Sequence, residues 1–126
     1  MKSTIEQVRE FHDAFGVKNE PRPTLSDKET RQLRVKLIQD ELYELFMALE
    51  NEDITETLDA LVDLDYVVQG AFLQFGLALL KDSAFNEVHR SNMSKLDENG
   101  KPIFAPDGKV MKSKLYSRPN LAQFLQ

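Results

Sequence analysis

The sequence predicts an all-α protein: a helical bundle of about four helices completed by dimerisation, with a small C-terminal β hairpin. Three observations lead there. Ser3-x-x-Glu6, Ser26-x-x-Glu29 and Asp53-x-x-Glu56 each have the form of a helix-opening capping box followed by apolar residues at helical spacing. The turn dipeptides Asn99-Gly100 and Asp107-Gly108 are confined to the C-terminal part of the chain. The length of 126 residues, 41% of them apolar, suits one domain spanning residues 1–126, with a helical core over about 3–95 and a tail over about 96–126.

The first helix follows Ser3, carries Ile5, Val8, Phe11 and Phe15 on its apolar side, and stops at Gly16. Pro21 and Pro23 make residues 17–25 an extended connector. A second helix runs from Ser26 to about Glu50, and a third from Asp53 to about Phe75, before Gly76. A fourth begins near Asp82 and ends near Lys95. Ile103-Phe104 and Val110-Met111 are candidate strands around Asp107-Gly108. Two long helices joined by a short turn leave apolar surface to cover, which favours a homodimer or homotetramer.

Charge narrows the function. The formal net charge is −5, yet from Leu37 to Leu80 there is no Lys, Arg or His, and ten acids fall in that stretch. Elsewhere 16 bases outnumber 11 acids. An acidic centre is a poor match for a nucleic-acid polymer, whose phosphates are bound by Lys and Arg. No apolar run is long enough to span a membrane, and neither a signal peptide nor any cysteine is present, so a cytoplasmic protein is expected.

The acids are not spread at random. On the second helix Leu37, Ile38, Leu42, Leu45, Ala48 and Leu49 form an apolar arc, and Glu41 and Glu44 fall inside it. Carboxylates on a packing face are costly unless charge compensates them. On the third helix Glu56, Asp59 and Asp63 lie on successive turns within about 60° of one another. Antiparallel packing of the two helices faces one acidic stripe with the other, and a hard divalent ion with oxygen ligands, Mg²⁺ or else Mn²⁺, is the simplest compensator. Simpler readings stand beside this one: Glu56 as a capping partner of Asp53, Glu41 and Glu44 in salt bridges, and Asp59 and Asp63 as exposed helix acids. Asp65 points away from the stripe, as a structural or interface acid.

The fourth helix and its exit read EVHRSNMSKL, and Asn86, Arg90 and Lys95 project to one side, as amide and cationic donors for a polyphosphate or as an ordinary solvated helix end.

Taken together, VREFHDAFG, LRVKLIQDELYEL, DALVDLDYVVQG, EVHRSNMSKL and GKPIFAPDGKV resemble the all-α nucleoside triphosphate pyrophosphohydrolases, the superfamily of MazG, the dimeric dUTPases and phosphoribosyl-ATP pyrophosphohydrolase. The superfamily pattern Glu-Glu-x-x-Glu appears as Asp40-Glu41-x-x-Glu44, with Asp in first place. Its Glu-x-x-Asp is met literally by Glu56-x-x-Asp59; alignment on the apolar residues that follow selects Asp63 instead, with Ala60 at the Glu position. The resemblance implies an enzyme that hydrolyses a nucleoside triphosphate between its α and β phosphates, releasing a monophosphate and pyrophosphate in nucleotide-pool house-cleaning. It implies Glu41, Glu44, Glu56 and Asp59 as Mg²⁺ ligands, with Asp63 one turn on, and Asp40 or Glu41 as the group that orients or deprotonates water. It also implies Arg90, Asn92 and Lys95, with Asn86, as substrate contacts. The alternatives are phosphoribosyl-ATP hydrolysis and a non-catalytic helical dimer that binds metal or a partner.

Overall fold

The computed structural model describes residues 1–126. Its helices are α1 (Thr4–Phe15), α2 (Lys28–Glu50), α3 (Ile54–Gln74) and α4 (Lys81–Met93), and a single turn of 3-10 helix over Ala78–Leu80 precedes α4. Strands β1 (Ile103–Phe104) and β2 (Val110–Met111) pair antiparallel, Ile103 opposite Met111 and Phe104 opposite Val110. The all-α class, the four helices and the hairpin therefore agree with the sequence. The chain divides into two compact units, residues 1–79 and 80–126.

In the first unit α1 opens with the complete capping box of Ser3 and Glu6 and closes on Gly16 in the left-handed region. The cap of α2 lies one residue later than the sequence suggests. Ser26 takes φ +62°, and Asp27 accepts the Thr30 N–H at 2.7 Å. A carboxylate is the stronger acceptor, and the bend at Ser26 aims it at the helix. At α3 only half of the box forms: Asp53 accepts the Glu56 N–H at 3.0 Å, and Glu56 does not reach back.

α2 and α3 form an antiparallel hairpin. Its turn is closed by Asp53 N–H donating to Ala48 O at 3.0 Å, and its open end by Arg34 Nε donating to Gln74 Oε1 at 2.8 Å. Arg34, 6% exposed, also donates to Val67 O. Gly70 makes room for it, since a Cβ there would stand 2.7 Å from Arg34 Nη1 and 3.1 Å from His12 Nε2. His12, buried on α1, meets Asn19 Oδ1 at 2.6 Å through Nδ1. Thr4 donates to Gln69, which in turn donates to Asp65, so Asp65 has the structural partner it needed. The connector over 17–25 caps the end of α3, with Glu20 N–H on Gln74 O and Thr24 N–H on Phe75 O. The apolar core is thin: Val8, Ala48, Ala60 and Leu73 are buried, while Leu42, Phe46, Leu58 and Val62 on α2 and α3 are each more than half exposed.

In the second unit Arg90 forms a two-pronged pair with Glu87, at 2.8 and 3.0 Å, and reaches Arg118 O at 3.2 Å. Glu87 also accepts the Asn120 N–H at 2.7 Å. These donors, Arg90 first, hold its carboxyl down at about 2. Ser113 donates to Leu96 O and Ser117 N–H donates to Ser94 Oγ, so residues 113–120 are fastened along the exit of α4.

Two outcomes are expected. At Gly76, φ +71° and a would-be Cβ 2.0 Å from Arg22 O leave no space for a side chain, so Gly76→Ala should destabilise the fold by about 2 kcal/mol or more in urea unfolding. Because the carboxyl of Glu87 is depressed, its contribution is complete above the ordinary glutamate range and disappears as pH falls to about 2. Glu87→Gln at neutral pH should accelerate amide exchange over residues 113–121 without unfolding α4.

Candidate metal centre

The antiparallel hairpin sets the register of the acids. Arg34 lies beside Gln74 at one end and Ala48 beside Asp53 at the other, so the middle of α2 faces the middle of α3. There, one oxygen from each of Glu41, Glu44 and Asp63 lies within 4.8 Å of the other two. Glu41 and Asp63 are half-buried and Glu44 is exposed. Glu41 Oε2 is buried with no hydrogen-bond partner.

Burial is the first cause that raises the carboxyl of Glu41 above its ordinary range. The charges of Glu44 and Asp63, a hydrogen bond with Glu44 and the charge of Asp40 add to it. Asp63 is raised by burial, then by Asp59 and Glu44. The bases of α2 nearest in sequence are engaged elsewhere: Lys36 pairs with Asp40 at 3.0 Å, and Arg34 is committed to Gln74 and Val67. Three converging carboxylates, one of which keeps a buried oxygen without a donor, fit a hard divalent cation by their chemistry.

Beside the cluster, toward the α2–α3 turn, lies a cavity of about 420 Å³. Glu44 belongs to both, and Asp53, Glu56 and Asp59 complete the acidic side of the cavity. Tyr43, Met47 and Asn51 also line it, with the buried Ala48 and Ala60. Of the five acids singled out as ligands from the sequence, Glu41, Glu44 and Asp63 converge, while Glu56 and Asp59 join Glu44 around the cavity. Asp40 is exposed and held outward by Lys36. Asn86, Arg90, Asn92 and Lys95 belong to the second unit. Asn86 borders a shallow depression with Lys81, Asp82 and Phe85, Asn92 is exposed, and Lys95 is half-buried. Arg90 is engaged with Glu87 and residues 117–118. Sequence reasoning missed Tyr43, Met47 and Asn51. Nothing in their spacing distinguishes them from other residues near a helix end.

The all-α hairpin with its converging carboxylates agrees with the MazG-like pyrophosphohydrolases, the enzyme superfamily to which the family comparison assigns the chain. The family model described as phosphoribosyl-ATP pyrophosphohydrolase matches residues 8–92, and the chain belongs to that family. The chain is also 30% identical, over 118 residues, to an uncharacterized protein of Acanthamoeba polyphaga mimivirus; the match covers 88% of this chain and 43% of that protein. The chain thus spans less than half the length of the curated relative it matches. No helix is long and apolar enough to cross a membrane.

The raised carboxyls predict a linked response. Without metal, they oppose folding above their folded range, and the opposition fades as pH falls toward the ordinary carboxylate range. Glu41→Gln should therefore stabilise the metal-free chain at neutral pH and abolish the rise in melting temperature on adding Mg²⁺. Thermal denaturation at several pH values, with Mg²⁺ and with chelator, measures both effects.

Proposed function

We propose that the chain is a single-domain, Mg²⁺-dependent pyrophosphohydrolase that cleaves a nucleoside triphosphate between its α and β phosphates. The observation that carries this reading is the convergence of Glu41, Glu44 and Asp63 with the unpartnered Glu41 Oε2. These three would hold the ion, and Glu56 and Asp59 would join through the shared Glu44. A bound Mg²⁺ supplies positive charge against the phosphate oxygens, lowering their repulsion toward the carboxylates and toward an attacking water.

The protein's own contribution is position and proton transfer. Water adds at phosphorus, the α–β bridging P–O bond breaks, and the proton of the water passes to a carboxylate. Asp40 and Glu41 are the candidates for that carboxylate: Glu41 is half-buried within the cluster, and Asp40 is exposed and paired with Lys36. Asn86, Asn92 and Lys95 are proposed as substrate contacts. Arg90, tied to Glu87, contributes by fixing the segment that follows α4.

The family match favours phosphoribosyl-ATP as the nucleotide over a broad range of triphosphates. The exposed Leu42, Phe46, Leu58 and Val62 favour assembly, because apolar surface on this scale is characteristic of an interface, and a second copy of the chain, in a homodimer or homotetramer, is the proposed cover.

Incubation with Mg²⁺ and a nucleotide panel that includes phosphoribosyl-ATP tests the reading. Pyrophosphate should appear, only with metal, and fastest from phosphoribosyl-ATP. Orthophosphate alone contradicts α–β cleavage, and no turnover of any nucleotide favours a non-catalytic helical dimer. Glu44→Gln should lower turnover at least about 100-fold while helix content is kept. Sedimentation should show a mass at least twice 14.5 kDa.

A further inference from the structure

The cavity beside the carboxylate cluster has a chemistry of its own. Its lining contains four carboxylates and no basic side chain, so on its own it repels a free anion. Its volume of about 420 Å³ falls in the range of small-molecule sites, roughly 300–1,000 Å³. Two of the lining residues are alanines, 5% and 3% exposed, and a longer side chain at either would take up part of the space.

The remaining lining residues supply what an uncharged, flat, hydrogen-bonding ligand requires. Tyr43 offers an aromatic face, and Met47 a polarisable thioether. Asn51 ends α2, and its backbone N–H is used on Met47 O at 3.0 Å, while its side-chain amide makes no hydrogen bond within the chain. That amide presents a donor and an acceptor side by side, the pattern that pairs with the edge of a nucleobase. The carboxylates of Glu56 and Asp59 are acceptors for sugar hydroxyls. Since Glu44 belongs to both the cavity and the cluster, the cavity lies within reach of a ligand whose phosphates are at the cluster.

We infer that the cavity over Ala48 and Ala60 is the nucleoside subsite, with Tyr43 covering the base and Asn51 reading its edge. The inference rests on the proposed function, for which it names the groups that distinguish a nucleotide from a bare polyphosphate.

The test compares two probes by calorimetry in the presence of Mg²⁺. One is the set of non-hydrolysable α,β-methylene analogues of the common ribonucleoside triphosphates and of phosphoribosyl-ATP; the other is inorganic tripolyphosphate, which has no nucleoside. For the best-bound analogue, Asn51→Ala should weaken affinity about tenfold. Tyr43→Leu should weaken it about ten- to a hundredfold. Tripolyphosphate affinity should stay within about twofold in both variants. Circular dichroism and melting curves check that each variant folds.

Equal weakening of both probes, or no weakening of either, overturns the subsite. So does a wild-type chain that binds tripolyphosphate but no analogue, an outcome that leaves the metal centre standing. Analogue binding that is sensitive to Asn51 and Tyr43, without hydrolysis of any nucleotide, overturns the catalytic reading alone and keeps the subsite.

Discussion

The first unit depends on one electrostatic constraint: acids from α2 and α3 are held against each other with no base among them. Like charges within a few ångströms, partly removed from water, oppose folding, and the response of Glu41 and Asp63 is to hold their protons more tightly. A sequence under selection for stability alone would place Leu or Lys at such positions. The cluster persists because other contacts hold the hairpin closed around it.

Those contacts lie at the two ends. At the turn, Asp53 caps α3 with its side chain and closes on Ala48 with its backbone. At the open end Arg34 bridges to Gln74 and Val67 over Gly70, while His12 and Asn19 bring α1 and its connector to the same place. The burial of Arg34 lowers its hold on its proton, since no carboxylate is paired with it. A buried cation that is hydrogen-bonded to amide and carbonyl groups is directional, and it fixes which residues of α2 and α3 face one another. Polar contacts some distance along the same interface thus help to position the acidic centre.

The second unit solves a different problem, how to order a segment that has almost no regular structure. Glu87 and Arg90, one turn apart on α4, bind each other, and both bind the backbone of the segment over 117–120. Ser94, Ser113 and Ser117 add bonds of the same kind. Of the polar groups singled out on α4 and its exit, Arg90 serves the segment together with Glu87, whereas Asn86, Asn92 and Lys95 take no part in those side-chain bonds.

The sequence alone determined the helices, because caps and apolar periodicity are local: Ser3 with Glu6, Asp53 ahead of α3, and Gly16 and Gly76 at helix ends all act within a turn of themselves. It also determined that Glu41 and Glu44 share a direction on α2, and that Glu56, Asp59 and Asp63 share one on α3, since the helical period fixes directions about a single axis. The choice between Ser26 and Asp27 as cap was not legible, because it turns on one backbone angle. Nor was the membership of the cluster. A literal motif pairs Glu56 with Asp59, yet Asp63 is the residue that meets Glu41 and Glu44. Which turns of two helices face each other depends on their relative shift and rotation, and here Arg34, Gln74 and Gly70 set those at the far end of the hairpin. Only the tertiary structure decided, for the same reason, that Glu44 would belong to two places at once, the carboxylate cluster and the cavity lined by Tyr43 and Asn51.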